Sequence, residues 1–219
     1  VADEIHTFYH RDATVLWPNV DTETFTKLAQ KVDARTKQKL RQELFDGQPF
    51  FITAGRQVNW KRLDIAIDFA KKTGQNLLLV GDGAEHANLV ARANGAPNIK
   101  FLPHYNGATD IAKYFVAARA FLFTSLEPFG ITPVECLACG TPVIAFSSGG
   151  SRDFIQDGQN GVFFDGQNAE SLAKAVTRFS KIKWNQSHVR QSATQFSNDN
   201  FVKSLKVILN EVYTTHLYK

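Results

Sequence analysis

The stretch FLFTSLEPFGITPVECLACGTPVIAF, residues 121–146, sets a polar centre between two apolar runs. Phe121, Leu122 and Phe123 read as a short buried strand, Glu127-Pro128-Phe129-Gly130 as a loop, and residues 132–138 as a helix. Pro133 falls in the first turn of that helix, where its missing N–H costs nothing. Residues 141–146 return as a second buried strand. Strand, glycine loop and helix in this order aim the unpaired N–H groups of the helix start, and the positive end of its dipole, beyond the strand ends. A phosphate fits such a place. Gly130 admits close approach of a ligand to the backbone; Glu127 lies on the loop and Glu135 one turn into the helix, so both carboxylates can flank one bound anion. Glu135 has a second reading, because Thr132-Pro133-Val134-Glu135 also fits a capping box that ties the carboxylate back to the helix start. Glu127 caps nothing evident, and its plain alternative is a solvated loop carboxylate.

Outward from this stretch the same alternation repeats. Buried strands are expected at 49–54, 76–80, 99–102 and 160–164, with helices near 36–45, from Lys61 through the apolar face of Leu63, Ala66, Ile67 and Ala70, through Val90, at 109–118 and at 168–179. Two more helices are expected near 185–196 and 200–217, the last with Phe201, Leu205, Ile208 and Val212 as a core stripe. A short strand is expected at 14–16, after a helical stretch at 1–12. Neither a repeat nor a low-complexity linker interrupts the pattern. Strands and helices in alternation predict an α/β fold, a Rossmann-like doubly wound parallel sheet with helices on both faces.

Composition narrows the class. With 43% hydrophobic residues and 18 Phe in 219 residues, the chain can bury a sizeable core and is not disordered. The net charge of +4 comes from 25 basic and 21 acidic residues whose cations are scattered, which does not make a nucleic-acid surface. No apolar run approaches the roughly 20 residues needed to cross a bilayer. Cys136 and Cys139 have the spacing of a redox or half-zinc motif, but they lie inside the expected helix and no second Cys pair exists, so two buried thiols in a reducing compartment is the plainer account. No Asp-x-Asp or His/Cys cluster asks for a metal. The absence of Met, even at position 1, suggests a segment of a longer chain or residues missing from the sequence.

Further polar groups gather at expected strand ends. Gly55-Arg56 closes the 49–54 strand and Lys61 opens the following helix, and the two cations can converge on a diphosphate, Arg by a forked contact and Lys as a point charge. Solvated surface charge is the commoner role for such residues. Gly81-Asp82-Gly83 after the 76–80 strand is too short for a full dinucleotide fingerprint and reads as a tight turn bordering the site. His104 and Tyr105 follow the 99–102 strand in a loop, where a lone His is more often a surface residue than a ligand. Gly149-Gly150 reads as a turn.

Residues 127–135 and 138–145 resemble the Glu-x7-Glu signature of the retaining nucleotide-sugar glycosyltransferases of family 4 (group 1), in the C-terminal of their two facing Rossmann-like domains, the GT-B architecture. Gly55-Arg56 to Lys61 is similar to that family's Gly-Arg-x4-Lys segment, and Trp17-Pro18-Asn19-Val20-Asp21 to the opening of its C-terminal domain, with Asn19 where a second Pro is usual. The resemblance implies that residues 1–12 are a remnant of the last helix of an absent N-terminal domain and that 13–219 form the donor-binding domain. It implies a retaining transfer from a nucleotide-diphosphate sugar to a hydroxyl acceptor without metal or other cofactor. Arg56 and Lys61 would neutralise the departing diphosphate, Glu127 would bind the donor sugar and Glu135 the ribose. Phe129, Gly130, Ile131, Thr132, Gly55, Gly81, Gly83 and His104 would complete the donor site. The overall look is that of a mannosyltransferase of surface-polysaccharide assembly using GDP-mannose and a glycan or lipid-linked acceptor, cytoplasmic or peripheral at the inner membrane face. A UDP-sugar donor, an epimerase and a non-catalytic nucleotide-sugar-binding module are the alternatives.

Overall fold

The computed structural model describes residues 2–217. Six strands, β1 (Phe50–Ala54), β2 (Asn76–Val80), β3 (Ile99–Leu102), β4 (Phe121–Phe123), β5 (Val143–Phe146) and β6 (Gly161–Phe164), form one parallel sheet in the order β3-β2-β1-β4-β5-β6. The strands read as continuous apolar runs because the sheet is covered on both faces. Along β1, Phe50 and Ile52 enter one core and Phe51 the other. The first core is covered by α2 (Thr22–Gln30), α3 (Ala34–Phe45), α6 (Gly107–Ala117) and α7 (Ile131–Ala138). The second is covered by α4 (Leu63–Thr73), α5 (His86–Ala93) and α9 (Ala169–Phe179). The remaining helices are α1 (Ala2–Tyr9), α8 (Ser151–Phe154), α10 (Gln186–Ser192) and α11 (Asn198–Leu217).

The strand order carries the functional consequence. From β1 the chain builds outward through β2 and β3, then returns to place β4 on the other side of β1, where Ile52 pairs with Phe121. The connections leaving β1 and β4 therefore diverge, and a crevice opens outside the carboxyl ends of these two strands.

Three expectations are corrected. Residues 14–16 form no strand, and Val15 is 55% exposed; the backbone bridge of this segment comes later, where Val20 N–H donates to the Phe196 carbonyl at 2.8 Å. The segment 21–48 holds a second helix, α2, which threonines at 22, 24 and 26 disguise. Asp21 caps it by accepting from Thr24 N–H at 3.1 Å, and burial of Phe25 and Ala29 outweighs the weak propensity. The α11 stripe is not core: Phe201, Leu205 and Ile208 are half-buried, and Val212 is 51% exposed. Its helical period is real, but it enters neither sheet core.

Candidate functional site

A cleft of about 380 Å³ lies at the carboxyl ends of β1 and β4. Thr53 to Arg56 form its floor on the β1 side, Phe123 to Ser125 on the β4 side, and Gly130, Ile131 and Thr132 at the start of α7 form a wall. Among the described residues no side chain caps α7, so the N–H groups of its first turn have no side-chain acceptor there. Gly130, with φ of 140°, cannot be replaced cheaply: a Cβ there would stand 2.9 Å from Phe123 and Pro133. Gly55 has φ of 141° and the opposite surroundings, since its Cβ would meet nothing and the residue lines the cleft. Phe129 lines the cleft from a buried position, where its ring packs on Phe154 and Phe196.

Lys61 and Glu127 meet across this cleft. Lys61 sits in the 3-10 turn Asn59–Lys61 ahead of α4, and its Nζ donates to both Glu127 oxygens at 2.7 Å. Their side chains are 26% and 16% exposed, enough burial to weaken screening without full desolvation. Arg56 is exposed beside them, with its guanidinium carbon 5.4 Å from the centre of the Trp60 ring.

A second, shallower cleft of about 290 Å³ adjoins the first through Gly55 and Arg56. Gly81, Asp82, Pro103, His104 and Tyr105 line the rest of it. Gly81 also has a packing reason: a Cβ there would stand 2.3 Å from the Gly55 carbonyl oxygen. Gly83 lines neither cleft, and its Cβ would stand 2.4 Å from the Gln57 carbonyl oxygen, so its role is the approach of the two loops. Gln57 is fully buried and holds the same contact, its Nε2 donating to the Gly81 carbonyl.

Glu135 is placed differently from its partner in the signature. It lines neither cleft, and the two carboxylates do not share one wall. The capping box does not form, because α7 begins at Ile131 after Gly130 and Glu135 accepts no hydrogen bond among the described residues. Burial, and then the charge of Asp21, push its carboxyl up from 4.5 to about 7. Cys136 and Cys139 are buried and unbridged, and burial holds the Cys139 thiol up at about 12, which disfavours the reactive thiolate at neutral pH.

Two features escaped the sequence reading. Thr124 and Ser125 are buried hydroxyls at the site. Gly149-Gly150 is more than a turn: a Cβ on Gly149 would stand 2.5 Å from the Glu127 carbonyl oxygen and one on Gly150 2.3 Å from Phe129 Cα, while Gly150 N–H donates to that Glu127 carbonyl at 2.7 Å. Only glycines let this loop support the segment carrying Glu127. The doublet was the available signal.

A doubly wound sheet with its crevice at the reversal of strand order, an uncapped helix N-terminus and cations beside it is the arrangement of the class of α/β domains that take ligands at the switch point. Within that class, a profile described as glycosyl transferases group 1 matches residues 34–196, and the chain belongs to that family. It is 27% identical to glycogen synthase of Thermus thermophilus over 184 residues, covering 81% of this chain and 42% of the relative. It is 32% identical to D-inositol 3-phosphate glycosyltransferase of Mycobacterium marinum over 174 residues, covering 74% of this chain and 36% of the relative. The Anabaena protein Alr3699/HepE, solved in complex with UDP-glucose, superimposes with a TM-score of 0.71 at 25% identity over 89% of this chain and 57% of that one. The chain thus spans less than half the length of these two curated relatives. Among the described residues, no helix is long and apolar enough to cross a membrane.

Proposed function

We propose that this chain is the donor-binding domain of a retaining glycosyltransferase, acting with a facing domain that carries the glycan or lipid-linked acceptor. The observation that carries the reading is the Lys61–Glu127 pair beside the uncapped start of α7, at the crevice between β1 and β4. Free N–H groups and Lys61, joined by exposed Arg56, offer an anion its counter-charges without a metal. As the bond from sugar to diphosphate lengthens, negative charge grows on the leaving oxygens, and fixed donors stabilise it more than they stabilise the bound substrate. Glu127, already turned toward the cleft, accepts hydroxyls of the donor sugar. Glu135, to which the described residues offer no donor, takes those of the ribose.

GDP-mannose is the donor to which the sequence resemblance points, and a UDP-sugar is the second reading, favoured by the likeness to the UDP-glucose-bound Anabaena protein. Calorimetric titration with GDP, UDP and ADP, with EDTA and then with Mg²⁺, separates them. Tighter binding of GDP supports mannosyl transfer, and tighter binding of UDP supports the second reading. Equal affinity with and without Mg²⁺ is expected. Binding of none of the three would overturn the donor-domain assignment.

A further inference from the structure

Thr124 and Ser125 follow the last residue of β4, and each is 1% exposed. Adjacent residues leaving a strand point to opposite sides, and these two hydroxyls go to different partners. Thr124 Oγ1 donates to the backbone carbonyl of Lys61 at 2.9 Å, tying the turn that carries the cation to the end of β4. Ser125 Oγ donates to Glu127 Oε1. The Thr124 carbonyl is itself held, accepting from Gln167 Nε2 at 3.0 Å. Glu127 Oε1 therefore accepts from both Ser125 and Lys61, whereas among the described residues Oε2 accepts from Lys61 alone and keeps an acceptor position for another donor.

We infer that the Thr124-Ser125 pair is the positioning element of the donor site, with Thr124 fixing the cation that meets the diphosphate and Ser125 orienting the carboxylate that meets the sugar. The inference rests on the donor-domain reading above. Each buried hydroxyl makes a hydrogen bond that a small apolar side chain could not make. Without Ser125 the plane of the Glu127 carboxylate keeps only its Lys61 contact among the described residues, and without Thr124 the 3-10 turn loses its tie to the end of β4.

The test is titration of Ser125→Ala and Thr124→Val with UDP and UDP-glucose, and with GDP and GDP-mannose. Ser125→Ala should leave affinity for the free diphosphate within about twofold and lower the ratio of sugar-nucleotide to diphosphate affinity about fivefold, with Ser125→Thr restoring it. Thr124→Val should weaken diphosphate and sugar nucleotide together, about tenfold, with Thr124→Ser restoring both. Should Ser125→Ala fail to fold, Ser125→Cys replaces it, since a thiol is a weak donor and should give the same fall in ratio. If both variants weaken diphosphate and sugar nucleotide in equal proportion, and the conservative variants rescue neither, the hydroxyls are structural only and the inference fails. If the parent chain binds none of the four ligands, the donor reading fails and this inference with it; binding by the parent with unchanged ratios overturns the inference alone.

Discussion

Glu127 and Glu135 stand at the two ends of one short signature, in opposite environments. The loop around Glu127 is satisfied by the protein: Lys61 and Ser125 donate to its carboxylate, and Gly149 and Gly150 press against its backbone. The first turns of α7 around Glu135 leave a half-buried carboxyl with no donor among the described residues, near a second carboxylate, Asp21, and raised to about 7. A protein gains nothing in stability from the second arrangement. The difference separates a group built into its site from one left for something else to satisfy, and substrate sites commonly carry this sort of local cost.

The contrast can be broken from the Glu127 side first. Gly150→Val puts side-chain atoms where Phe129 Cα and the Pro128 carbonyl already stand, within 2.4 Å of the Cβ position. It should destabilise the chain by about 3 kcal/mol, read as a lowered denaturant midpoint, since neither backbone can yield. Lys61→Ala comes next. It removes the only cation bonded to Glu127 among the described residues and should lower nucleoside diphosphate affinity by about 2 kcal/mol in a calorimetric titration.

From the other side, Glu135→Gln should have the smaller effect and the opposite sign on stability. A carboxyl raised from 4.5 to about 7 binds more protons in the folded than in the unfolded chain. Its contribution is therefore fully present below 4.5 and is lost as pH rises to about 7. Glu135→Gln carries no such slope, so at pH 8 it should be more stable than the parent by about 1–2 kcal/mol, less than the whole shift implies because the carboxyl is only partly buried. Urea unfolding at pH 5 and pH 8 measures it. An equal difference between the two proteins at both values would remove the contrast between the carboxylates.

Much of this was legible in the sequence because parallel strands buried on both faces write themselves as apolar runs. All six strands fell where such runs stand, and the β4–loop–α7 stretch put Glu127 and Gly130 on the loop ahead of the helix. What the sequence concealed depends on contacts between distant segments. The Glu127–Lys61 bond joins residues 66 positions apart, and the Gly150 approach to Phe129 is likewise tertiary. The capping-box pattern around Glu135 is local and well formed as a pattern, yet the helix starts one residue early, after Gly130, and takes no side-chain cap. At α2, burial of Phe25 and Ala29 overrode the weak propensity of three threonines. At α11 the reverse holds: good periodicity did not bring the stripe into either core.

In the donor-domain proposal, Glu135 accepts from the ribose hydroxyls of the donor nucleotide. If ribose hydroxyls donate to it, its ionised form is favoured and binding must release a proton near pH 7. Calorimetric titration of the parent and of Glu135→Gln with UDP and GDP, at pH 7 in buffers of different ionisation enthalpy, counts that proton directly. The parent should release up to about half a proton more than the variant. Equal proton release by both, with nucleotide bound equally well, would show that Glu135 does not meet the ligand.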